Sequence, residues 1–103
     1  MMSELEFQNR VVLTVVQALV GAVRPEVVAV TLATSYDSQA ADLYFLVTEV
    51  SEDLRETVDE IKTDLDALLS GSVRISSHLD VGPDWTDANW SGRHHRPIFA
   101  RSA

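Results

Sequence analysis

LYFLVTEVSEDLRETVDEIKTDLDALLSGSVRISSHLDV, residues 43–81, contains two different periodicities and the switch between them. In 52–69, Leu54, Val58, Ile61, Leu65 and Leu68 recur every three or four positions, the spacing of one apolar helix face. Ser51 is a natural N-cap, Glu52 and Asp53 lie at the positive end of the helix dipole, and Gly71 is placed to stop the helix. The outer face holds Glu56, Asp59, Glu60, Asp64 and Asp66 against Arg55 and Lys62. The period on either side of the helix is two. In 42–50, Leu43, Phe45 and Val47 share a face. In 73–81, Val73, Ile75, Ser77, Leu79 and Val81 share one face, with Arg74, Ser76, His78 and Asp80 on the other. A helix that crosses from one strand to the next leaves the two strands parallel, so both end at the same edge of the sheet.

Residues 27–35 read as a further strand, with Val28, Val30 and Leu32 alternating with Ala29, Thr31 and Ala33. Ser35 to Ala41 contains Asp37 and Ser38, which makes a hairpin with a loose loop. Residues 4–23 read as a helix with Leu5, Val12, Val16, Leu19 and Val23 on its apolar stripe, widened by Val15 and Val20. Arg24-Pro25 ends it, because a residue before proline avoids the α region. Pro97 to Arg101 reads as a short last strand, where Pro97 suits only the first position or an edge. The order is αββαββ. The expected fold is α+β, a single domain over residues 1–103. It is a two-layer sandwich with two helices on one face of a four-stranded mixed sheet. The polar face of the third strand implies that the other sheet face meets water or a partner.

The chain has 103 residues, 46% of them hydrophobic and 23% charged, an ordinary globular composition with room for one core. The longest apolar run, Val11 to Val23, is broken by Thr14, Gln17 and Gly21, too short for a membrane span. No basic cluster precedes it, so a signal peptide is not expected. The absence of cysteine excludes disulfides and thiolate chemistry and fits a cytoplasmic protein. The net charge is −8, unevenly spread. Residues 1–92 hold five basic and sixteen acidic side chains, a net −11, and the last eleven residues carry +3. An acidic body repels nucleic acid and anionic lipid and attracts basic proteins.

The segment 82–96, GPDWTDANWSGRHHR, is longer than most loops of compact domains and carries Trp85 and Trp90 among Asp84, Asp87, Arg93 and Arg96. Tryptophan and arginine are typical interface anchors, although an indole can equally fold back onto the core. His94-His95 lacks a third ligand at metal spacing, so no metal is expected. No nucleophile elbow, P-loop or dinucleotide fingerprint is present, and most carboxylates fall on an exposed helix face, where a pKa stays ordinary. No catalytic residue and no cofactor are expected. The parallel crossover instead gathers Glu49, Glu52 and Asp53 at the edge that holds Asp80, Asp84 and Trp85, with Arg24 and Glu26 alongside. The expected partner-binding set is Glu49, Glu52, Asp53, Asp80, Asp84, Trp85, Asp87 and Trp90.

The layout is also familiar. An opening amphipathic helix runs into GAVRPEVVAV (21–30), followed by LYFLV (43–47), a Ser-Glu-Asp helix start (51–53), a third strand and a closing Phe-Ala-Arg (99–101). This resembles small bacterial immunity proteins that accompany polymorphic or contact-dependent growth inhibition toxins. The resemblance implies a cytoplasmic, non-enzymatic inhibitor that binds a cognate toxin protein domain, often a basic nuclease, and is monomeric or weakly homodimeric when free. Two other readings remain. One is a small enzyme or ligand-binding protein that uses the 82–96 loop, with His78, His94 or His95 as acid or base. The other is a homodimeric accessory protein pairing through the last strand.

Overall fold

The alternating stretches form one sheet and the helical stretches one layer above it. A computed structural model describes residues 3–20, 24–82, 90 and 92–100. Its elements are α1 (Glu4–Leu19), β1 (Val27–Ser35), β2 (Ala40–Val47), α2 (Glu52–Leu68), β3 (Arg74–Val81) and β4 (Arg96–Ala100). The sheet order is β3-β2-β1-β4. β1 pairs antiparallel with β2 and β4, and β2 pairs parallel with β3, so the sheet is mixed as the crossover requires. α1 contacts β1 and β4, and α2 contacts β3. The fold is the expected αββαββ sandwich with both helices on one face.

The core lies between the layers. Val30 and Leu32 of β1 and Leu43, Phe45 and Val47 of β2 meet Leu54, Val58, Ile61 and Leu65 of α2. Three details depart from the sequence reading. Leu68 is 53% exposed and Leu69 is fully buried, because Leu69 continues the four-residue step from Leu65. Val28 lies outside this cluster, because an irregularity in register between Val27 and Ala29 turns Val27 to the helix side. The hairpin loop is tighter than expected, a turn over 36–39 in which the Gln39 N–H donates to the Tyr36 carbonyl.

The largest correction concerns α1. It ends at Leu19, short of the expected residue 23, and its buried residues are Phe7, Val11, Thr14, Val15, Ala18 and Leu19. Leu5, Val16 and Val20 are exposed, and Val12 only half-buried. Val23 lies outside the described residues. The helix is apolar on two sides, so helical spacing alone fits either stripe. Phe7 settles it by docking edge-to-face on Tyr36 at 5.6 Å. Thr14 is tolerated in the core because its hydroxyl donates to the Arg10 carbonyl at 2.7 Å.

The far face of the sheet is also less open than expected. Trp90 packs there on Ala29 and Leu46, with Val28 and Tyr44 at the margin. The Thr31 hydroxyl donates to the Gly92 carbonyl at 2.7 Å. The His95 ring stacks on Tyr44 at 4.7 Å, and His78 stacks on Tyr44 at 4.5 Å. Trp90, Gly92 and His95, which precede β4, therefore cover part of this face. Residues 83–89 and 91, which include Asp84, Trp85 and Asp87, lie outside the described residues.

Candidate functional site

Residue by residue, β2 and β3 run level: Leu46 lies beside Asp80 and Val47 beside Val81, and the Gly82 N–H donates to the Val47 carbonyl at 3.0 Å. The end of the sheet is closed from β1 by the Thr48 N–H, which donates to the Glu26 carbonyl at 2.9 Å. α2 starts at the same end. Ser51, in extended conformation, accepts from the Leu54 N–H at 3.1 Å and fixes the first turn. Glu49, Glu52 and Asp53 are thereby held together, all exposed. Asp80 sits at the same end, half-buried on the far face.

Arg24 sits within this cluster. Its Nε donates to Glu26 at 2.8 Å, and its guanidinium lies 4.0 Å from Asp53. The Glu26 hydrogen bond, more than any other influence, raises the Arg24 pKa above its already high ordinary value, so the guanidinium stays charged. Glu26 is largely neutralised. Glu49 and Glu52 form no ion pair among the described residues, and Asp53 is a long, exposed partner of Arg24. The rim is negative, and the backbone beside it is anchored at Thr48, at the capped start of α2 and at Gly82.

The remaining expected residues divide. Trp90 is 4% exposed, and its indole N–H has no hydrogen-bond acceptor among the described residues. It supports the far face and offers a partner no surface in this conformation. Asp84, Trp85 and Asp87 fall outside the described residues. The far-face contacts of Thr31 with Gly92 and of Tyr44 with His95 were not singled out in the sequence. A glycine carries no periodicity signal, and Thr31 and Tyr44 read only as strand residues.

The chemistry available elsewhere is modest. His78 Nε2 lies 3.1 Å from an Asp42 oxygen, with both side chains well exposed. Among the described residues, no group of three His, Asp or Glu side chains could hold a metal ion. Two shallow grooves run between α2 and the outer edge of β3, one beside Lys62 and Asp66 and the other beside Arg55 and Asp59, and no histidine lines either. No described helix is long and apolar enough to cross a membrane.

Residues 8–89 match the family model described as MafI2 immunity protein. No curated protein is significantly similar to the chain in sequence.

Proposed function

The chain belongs to the MafI2 immunity protein family, and from that premise we propose that it neutralises a cognate toxin domain by binding it, without chemistry of its own, through the acidic end of the sandwich. The match over 8–89 carries this reading, since it spans most of α1, all of α2 and β1 to β3. The rim adds a location. Glu49, Glu52 and Asp53 are exposed carboxylates at the capped start of α2 and just before it, and Asp80 extends the charge to the far face. In the sequence Asp84, Trp85 and Asp87 follow directly, and they complete the proposed contact set. A basic toxin surface, such as a nuclease uses to hold nucleic acid, is the complementary partner. Trp90, packed on Ala29 and Leu46, acts behind this surface.

The test uses the toxin domain encoded beside this chain's gene. The two proteins should co-purify, and the toxin's activity should vanish at equimolar ratio. The triple variant Glu49→Gln, Glu52→Gln, Asp53→Asn should weaken binding at least tenfold, about 1.4 kcal/mol. Its stability should fall by no more than about 1 kcal/mol, the loss of favourable charge at one helix N-terminus. A complex that forms equally well with the triple variant would move the contact off this rim. Absence of any complex would remove the function itself.

A further inference from the structure

The two edges of the sheet are built differently. β4 is five residues long, contains Pro97, which has no N–H to donate, and pairs with β1 through an irregular register. These features blunt an edge. β3 has eight residues, no proline and an unbroken register against β2. Its outward groups can be identified. The Arg74 N–H donates inward to Gln39 and the Gly82 N–H inward to Val47. Alternation along a strand then turns the N–H and C=O of Ile75, Ser77, Leu79 and Val81 outward. No described residue pairs with that side.

We propose that this edge docks a second copy of the chain, in an antiparallel β3–β3 pair centred on Ser77 with the two α2 helices side by side. The sequence is self-complementary about that axis in both layers. In the sheet, Ser77 meets the partner's Ser77 and Ile75 meets the partner's Leu79, pairs that exchange backbone hydrogen bonds. On the far face the same register sets Arg74 opposite the partner's Asp80. In the helix layer, Arg55, Asp59, Lys62 and Asp66 line the grooves beside β3. Arg55 and Asp59 are level with Ser77 and Leu79, and Lys62 and Asp66 with Ile75 and Ser76. The axis through Ser77 thus passes between Asp59 and Lys62. It places Asp59 opposite the partner's Lys62 and Arg55 opposite the partner's Asp66. Every one of these charges meets its opposite, although α2 as a whole has seven acids and two bases. A foreign strand would meet an alternating stripe, whereas a second copy meets its match.

The contact is one strand and one helix flank wide, at the small end of interfaces, below about 1,200 Å² in total. Association is therefore read by sedimentation velocity over about 10 µM to 1 mM at physiological salt. The expected result is a reversible monomer–dimer equilibrium. Lys62→Asp sets an acid opposite the partner's Asp59 on both sides of the axis and should weaken the dimer about tenfold or more. Exchanging the two charges, Asp59→Lys with Lys62→Asp, restores complementarity and should return the dimer to within about threefold of the wild type. Amide exchange gives an independent readout on the unaltered protein. Raising the concentration should slow the Ile75, Ser77 and Leu79 amides and leave those of Ser76 and His78 unchanged. A monomer at 1 mM, or an exchange variant as weak as Lys62→Asp, would overturn the proposal. So would odd-numbered amides that slow only when the toxin domain is added.

Discussion

Gly92 is where a single residue most constrains the molecule. A Cβ at this position would come within 2.6 Å of the Thr31 hydroxyl oxygen and closer still to the Tyr44 side chain. Neither neighbour can yield cheaply. Thr31 is buried in the middle of β1 and bonded to the Gly92 carbonyl, and the Tyr44 ring is held between His78 and His95. Gly92→Ala should therefore destabilise by about 1–3 kcal/mol, the usual cost of overpacking. This would appear as a lower urea midpoint at unchanged slope. A midpoint within error of the wild type would mean that the segment lies off the sheet in solution. None of this is legible in the sequence. Gly92 reads as an ordinary turn glycine beside Ser91, and its partners are 48 and 61 residues away in the chain. Trp90 was legible only as a choice between core and surface, because an indole satisfies either. Ala29 and Leu46 decide it by leaving an apolar patch on the far face.

At the scale of elements, α2 shows the sequence at its most readable and α1 at its least. α2 has one apolar stripe, an N-cap and an acidic first turn, all pointing to the same helix. Its end is subtler than the glycine signal suggests. The Gly71 N–H donates to the Asp66 carbonyl at 2.9 Å and the Ser70 N–H to the Ala67 carbonyl at 3.1 Å, a Schellman closure. Two residues then take positive φ, Ser70 at 56° and Gly71 at 67°. Glycine serves at the second, but serine is strained at the first, where the left-handed region costs an L-residue about 1–2 kcal/mol. Ser70→Gly should relieve that strain and stabilise by about 0.5 kcal/mol, after the greater unfolded-state entropy of glycine is deducted. Thermal unfolding at neutral pH checks it, and a lowered Tm would show that the serine side chain contributes more than its backbone loses. α1 was misread because Leu5, Val16 and Val20 repeat as regularly as Phe7, Val11 and Val15. Periodicity shows that a helix has a face; the strands beneath select which face is used.

For the whole molecule, charge sets the rate at which any partner arrives. Residues 1–92 carry −11, and the basic residues that offset them in part begin at Arg93. If the partner is the basic toxin domain proposed above, it is drawn in from beyond contact distance, and the attraction acts before any specific pairing forms. At 50 mM salt it reaches well past ~10 Å, and at 500 mM it fades within a few ångströms. The association rate should fall about tenfold or more between those salts, whereas the dissociation rate, set by groups already in contact, should change little. The rim variant should start from a lower rate and show a shallower salt slope, since it removes three charges where approach is directed. Stopped-flow mixing with the toxin domain measures both rates. The geometry adds a condition on stoichiometry. An antiparallel β3 pair points the two rims in opposite directions, so each copy can take its own toxin, and at concentrations where the free chain dimerises light scattering of the complex should give two of each chain. A one-to-one complex at those same concentrations, still with the steep salt slope, would leave the steering argument intact and mean that toxin binding and β3 pairing exclude each other. A salt-independent association rate would mean that the acidity serves solubility alone.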